Sequence, residues 1–167
     1  MLVVAFDQAT VTTGYSVFLN GELIKYGHFN FDGEILERMS LTIEKMIKIT
    51  DKYLEEYPNQ PFKVVIEDVQ LQRNALTFKQ LSQLQGAVLV AFLDKYHKTP
   101  DVYSASVWKS FNGIKGKNRT EQKQNAQKLA RQLFKIRPTQ DEADAVLLGR
   151  YAASNFISFD DSPSLRR

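Results

Sequence analysis

Leu2-Val3-Val4-Ala5-Phe6 is an unbroken apolar run that ends on a carboxylate, Asp7. A short run of this kind predicts a strand buried on most sides. Residues 12–19, rich in β-branched and aromatic side chains, predict a second strand. Asn20-Gly21 is a two-residue hairpin signal, and residues 22–31 supply a third strand with Leu23, Tyr26 and Phe29 as its apolar positions. Asp32-Gly33 closes this meander. From 34 to 57 apolar residues recur at helical spacing (Ile35, Met39, Ile43, Met46, Tyr53 among them), with charges on the other face. Pro58 to Pro61 interrupts it.

Residues 62–67 repeat the form of the first strand, an apolar run ending in Glu67. A helix separates them from the meander, so this strand is expected to lie parallel to the first. Residues 74–96 form a second helix whose later half is apolar nearly all round, which predicts burial on more than one side: a central helix or one that meets a partner chain. Residues 102–103 make a short fifth strand, and 105–111 a short helix with Ser104 at its N-cap. A basic loop over 112–119 and a polar helix over 120–134 follow. The last helix opens at Thr139 with a capping box closed by Glu142 and runs to about 156. The order predicts an α/β fold with a mixed sheet flanked by helices. Residues 1–158 are read as one domain and 159–167 as a polar tail.

The chain of 167 residues has no cysteine, which removes disulfides and thiolate metal sites and suits a reducing cytoplasm. No apolar run approaches the roughly 20 residues that span a bilayer, and no basic segment precedes an apolar one as in a signal peptide. Charge is unevenly placed. Between Lys109 and Arg137 stand nine basic residues and a single acid, Glu121, although the whole chain carries only +3. A basic loop and helix on an otherwise acidic chain predict a polyanion-binding face.

Asp7 and Glu67 end two apolar strands, and Asp141 and Asp144 share one face of a helix at a spacing of three. Taken singly, each acid has an ordinary use: Asp7 in a turn, Glu67 or Asp68 at a strand end, Asp141 at a helix N-terminus. Glu142 is accounted for by the capping box. Taken together, Asp7, Glu67, Asp141 and Asp144 predict one site for a hard divalent cation, which takes oxygen ligands. Ala143 and Ala145 are small enough to let that helix approach the sheet closely.

Ala5-Phe6-Asp7, Ile66-Glu67-Asp68-Val69, Asp141-Glu142-Ala143-Asp144-Ala145 and Thr13-Gly14-Tyr15 together resemble, in order and spacing over residues 2–155, the RuvC family of Holliday-junction resolvases within the RNase H-like (integrase) superfamily. The resemblance implies an RNase H-like mixed five-stranded sheet with helices on both faces. It also implies a structure-selective endonuclease that resolves four-way DNA junctions by paired symmetric nicks. Asp7, Glu67, Asp141 and Asp144 would be the catalytic metal ligands, holding two Mg²⁺ ions about 3.5–4 Å apart, with Mn²⁺ able to substitute. Lys109, Lys115, Lys117, Arg119 and Lys123 would hold backbone phosphates, and Arg73-Asn74, which keep a basic–Asn pair that the family has shortly after its second motif, are further candidates for DNA binding. A symmetric homodimer suits a two-fold substrate, with the over-apolar second helix as its candidate interface. The implied setting is a cytoplasmic, DNA-associated one; a branch-migration motor as partner is left open.

Two features depart from the family pattern. Gln8-Ala9 stands where Pro-Gly is usual, and Gln70 where many members carry an aromatic. Such departures suit an atypical, phage-type member. Trp108 and Tyr103 are read as core residues, with stacking on unpaired bases as the other use. Competing readings are another RNase H-like nuclease acting on branched DNA or RNA–DNA hybrid, a junction-binding protein that does not cut, and an actin-like ATPase suggested faintly by Thr10, Thr12, Thr13 and Gly14. The last needs two such domains, for which the chain is too short.

Overall fold

A computed structural model describes residues 1–71 and 74–160, with side chains described as far as Asn155. Five strands form one mixed sheet in the order β3-β2-β1-β4-β5: β1 is Leu2–Asp7, β2 Thr12–Leu19, β3 Glu22–Asn30, β4 Phe62–Glu67 and β5 Asp101–Tyr103. The helices are α1 (Ile35–Glu56), α2 (Ala75–Tyr96), α3 (Ala105–Phe111), α4 (Arg119–Phe134) and α5 (Gln140–Asp160). The predicted elements all form. The last helix continues to Asp160, so a domain boundary at 158 falls inside it.

β1 is the centre of the sheet because it can be buried on both faces. It pairs antiparallel with β2 and parallel with β4, as the helical crossover requires. Its side chains alternate between two cores. Val3 and Ala5 face α3, α4 and α5, packing among Trp108, Ala130, Ala143 and Leu147. Leu2, Val4 and Phe6 face α1 and α2, packing among Met46, Leu84, Val88 and Phe92. Helices therefore cover both faces. Asn20 and Gly21 both take positive φ, 51° and 87°, as a tight hairpin between right-twisted strands demands.

Three local expectations change. Ser104 occupies the N-cap position of α3, but its hydroxyl bonds the Ser106 hydroxyl at 2.9 Å and caps no backbone N–H. α4 begins at Arg119, one residue early, with Asn118 as its N-cap. The largest change concerns α2. It buries one stripe, Leu84, Val88 and Phe92, against the sheet, while Val90 and Leu93 are 67% and 50% exposed. It is not a central helix. Its apolar character is spread round a surface helix, and half of it faces outward.

Candidate active site

The carboxyl ends of β1 and β4 lie side by side, which brings Asp7 and Glu67 to one edge of the sheet. α5 supplies the rest. Its first turn is fixed by the capping box: the Thr139 N–H donates to Glu142 Oε2 at 2.7 Å and the Glu142 N–H donates to Thr139 Oγ1 at 3.3 Å. The other oxygen of Glu142 pairs with His28 Nδ1 on β3 at 2.7 Å. Gly14, opposite Asp7 on β2, gives this turn room to approach the sheet. Two residues on, the buried Ser16 hydroxyl donates to the Ala145 carbonyl at 2.7 Å. Seated in this way, α5 delivers Asp141 and Asp144 to the same edge.

Asp7, Glu67, Asp141 and Asp144 thus line one open cleft of about 450 Å³, together with Lys109, Arg119 and Lys123. Glu67 accepts a hydrogen bond from Trp108 Nε1 at 2.8 Å. Asp141 accepts from Lys123 Nζ at 3.1 Å. Asp144 is 6% exposed, and its Oδ1 is buried with no donor among the described residues. Gln8 anchors the floor by donating from Nε2 to the Glu67 carbonyl at 2.6 Å. Beyond β4, Gln85 of α2 clips the chain: it accepts from the Val69 N–H at 2.9 Å and donates to Asp68 Oδ1 at 3.1 Å. Asp68 also lines the cleft, with one carboxylate oxygen held by Gln85.

The electrostatics match a site with surplus negative charge. The Asp7 carboxyl is raised well above the ordinary range, first by desolvation and then by Glu67, Asp144 and Asp141; Lys123 opposes the shift. Asp144 is pushed up to about 6, chiefly by burial, against the pull of Lys123 and Lys109. Glu67 is also raised by burial, with the Trp108 N–H, Lys109, Arg119 and Lys123 acting the other way. Such a cluster favours an added cation. Four hard oxygen donors and an orphaned buried oxygen on Asp144 fit a divalent metal of the magnesium type. Among the described residues no group of three acids already closes to a metal-holding spacing. Asp141 is instead paired with Lys123.

The predicted phosphate contacts divide. Lys109, Arg119 and Lys123 line the acid cleft. Lys109 and Lys115 share an adjoining groove with Gln70 and Gln122. Lys117 is exposed and is tied in only through its backbone N–H, which donates to Glu121 Oε2 at 2.8 Å. Asn74 serves as the N-cap of α2, its side-chain oxygen accepting from Leu76 and Thr77 N–H at 2.9 and 3.2 Å. Arg73 lies outside the described residues. Trp108 is fully buried and so is closed to base stacking; Tyr103 packs its ring edge-on against Tyr151. Sequence reasoning missed Gln8, Ser16 and Trp108 as parts of the site. Each acts through a partner distant in sequence, and only Gln8, beside Asp7, carried a local hint.

The family model described as crossover junction endodeoxyribonuclease RuvC matches residues 3–149. A crossover junction endodeoxyribonuclease RuvC from Treponema denticola is 28% identical over 151 residues, spanning 86% of this chain and 80% of that protein. Thermus thermophilus RuvC, solved in complex with a Holliday junction substrate, superposes with a TM-score of 0.70 at 17% identity, covering 94% of this chain and 96% of that one. The Fowlpox virus resolvase, solved with Holliday junction DNA, gives a TM-score of 0.52 at 12% identity, covering 94% and 99%. At such identities the solved structures establish the shared fold.

Proposed function

The chain belongs to the crossover junction endodeoxyribonuclease RuvC family, and from that premise we propose that its acid cleft cuts four-way DNA junctions by paired, symmetric, metal-dependent nicks. The observation that carries this reading is the gathering of Asp7, Glu67, Asp141 and Asp144 from three separate elements around one cleft, with Asp144 Oδ1 lacking a donor among the described residues. Acids placed only for stability would be paired or hydrogen-bonded.

In this proposal the four acids hold two Mg²⁺ ions, with Mn²⁺ as a substitute. Bound there, the ions supply Lewis acidity at the scissile phosphate and lower the pKa of the attacking water. The chain does the rest. Asp7 stands between the Glu67 side and the α5 side of the cleft and is suited to bridge. Burial and the neighbouring acids hold the Asp7 and Asp144 carboxyls above the ordinary range, so a cation bound there would favour their charged forms. Lys109, Arg119 and Lys123 face the same space and balance phosphate charge; Lys115 and Lys117 extend a basic track outward. Such contacts fix position without reading sequence.

The partner is branched DNA, and the working unit is a homodimer. Two equivalent cuts on a two-fold substrate call for two equivalent sites, and the outward apolar residues of α2, Val90 and Leu93, are the surface offered for pairing.

The test is cleavage of end-labelled synthetic DNAs in Mg²⁺: a four-way junction, a three-way branch, a linear duplex and an RNA–DNA hybrid. Symmetric nicks in the junction, lost in Asp7→Asn while binding persists, are expected. Cutting of the hybrid alone would assign the cleft to a different RNase H-like activity. Tight binding with no cutting in Mg²⁺ or Mn²⁺ would make the protein a binding module.

A further inference from the structure

Trp108 is the one tryptophan of the chain, and none of its surface reaches solvent. A buried indole needs an acceptor for its N–H. Here the acceptor is an acid of the cleft, Glu67 Oε2, at 2.8 Å. The ring is held from behind. Lys109 Nζ sits 5.2 Å from its centroid. Asn112 donates from one amide nitrogen to the Trp108 carbonyl at 2.7 Å and to the Leu147 carbonyl of α5 at 3.1 Å. Arg150 of α5 donates to the Asn112 side-chain oxygen at 2.7 Å. Through its indole N–H and its backbone carbonyl, Trp108 therefore links the β4 acid to the helix that carries Asp141 and Asp144. Glu67 Oε1, by contrast, takes no hydrogen bond from the described residues.

We propose that Trp108 is a positioning residue that commits one oxygen of Glu67 to its indole, leaves Oε1 as the oxygen offered to a divalent ion, and thereby favours Mg²⁺ over Ca²⁺. The reason lies in how the two ions use carboxylates. Mg²⁺ demands a tight octahedron and is bound through one or two carboxylates with several waters kept. Ca²⁺ is larger, takes six to eight oxygens and often grips both oxygens of one carboxylate. A carboxylate with Oε2 already satisfied, and its plane fixed by a rigid ring, suits the first ion and denies the second its two-oxygen grip. Hydrogen bonds behind a ligand commonly change metal affinity by about 10- to 100-fold.

This inference rests on the reading of Glu67 as a metal ligand, and the experiment separates the two. Thermal stabilisation is titrated with Mg²⁺ and with Ca²⁺, without DNA. The proteins are wild type, Glu67→Gln, Trp108→Phe, and a chain in which residue 108 is 3-benzothienylalanine, which keeps the bicyclic shape but has sulfur in place of N–H. The benzothienyl protein should keep its metal-free melting temperature, raise its Mg²⁺ midpoint about 10-fold, and lower its Ca²⁺ midpoint, because both oxygens of Glu67 become free to grip that ion. Trp108→Phe should shift the two midpoints in the same unequal way. Equal shifts for both ions, or none, in the benzothienyl protein would overturn the assignment of Trp108. Identical midpoints in wild type and Glu67→Gln would overturn the metal role of Glu67, and this inference with it.

Discussion

A methyl group built on Gly14 would stand 2.1 Å from the Asp141 carbonyl oxygen. The backbones of β2 and α5 touch there, directly across from Asp7. Gly14→Ala is therefore expected to lift the first turn of α5 from the sheet and carry Asp141 and Asp144 out of place. Overpacking of this kind costs about 1–3 kcal/mol, or a fall of roughly 3–10 °C in melting temperature for a domain of this size. Cleavage should fall far more than stability, by on the order of 100-fold, while junction binding measured by gel shift in Ca²⁺ stays within a few-fold of wild type. A variant that melts lower yet cuts at the wild-type rate would show that the turn has freedom to move.

Asp144 gives a prediction about pH. Its folded pKa of about 6 lies above its ordinary value of 3.8, so folding takes up a proton between those values. The stabilisation that comes with that proton is complete below the ordinary value and is lost as pH rises through 6. Asp144→Asn makes the neutral state permanent. At neutral pH and without metal it should be more stable than wild type by about 1–3 kcal/mol, and its melting temperature should vary less between about pH 5 and 7. Added Mg²⁺ should stabilise wild type by mass action and the variant much less. Differential scanning calorimetry in EDTA and in Mg²⁺ reads both effects; a less stable variant in EDTA would mean that Asp144 is held by partners rather than strained by neighbours.

Two lysines of the basic segment should behave differently. Lys123 pairs with Asp141 and holds down the carboxyls of Asp7 and Asp144, whereas the Lys117 side chain stands in solvent. Lys117→Ala should weaken junction binding and reduce the slope of log K against log salt by about one, with the saturated single-turnover rate unchanged. Lys123→Ala should do the same to binding but also slow the saturated rate, by on the order of 100-fold. Its acid limb should move to higher pH, because the carboxylates lose the cation that favours their charged form. Equal pH profiles for the two variants would remove Lys123 from the cleft chemistry.

Val90 and Leu93 on α2 test the pairing of subunits. Each is at least half exposed, so a charge there should cost the isolated subunit no more than about 0.5 kcal/mol. Wild type is expected to run as a dimer in light scattering, and a Val90→Glu, Leu93→Glu double variant as a monomer that leaves junctions nicked on one strand only. Retention of the dimer would place the interface elsewhere.

Much of this architecture is legible along the chain because local pattern and global position agree. β1 is apolar throughout and lies at the centre; Asn20-Gly21 signals a hairpin and adopts the positive φ values of one; Thr139 and Glu142 spell a capping box and form it. The four acids are legible for the same reason, since each is fixed by the end of a regular element. α2 misleads because composition reports how apolar a helix is and not which side of it meets the sheet. The roles of Trp108 and Gln8 are hidden for another reason. Their work is a hydrogen bond to Glu67, a residue 41 and 59 positions away, and no periodicity encodes such a pairing.

The seat of α5 on β1 and β2 also bears on how the protein is made. The acids of the cleft come from the opening strand and from the final helix, and the ribosome delivers the former long before the latter. Until α5 has emerged and docked, β1 lacks the cover over Val3 and Ala5, and the cleft lacks Asp141 and Asp144. The same docking event therefore completes the core and arms the nuclease. A nascent copy whose last helix has not docked carries only two of the four cleft acids.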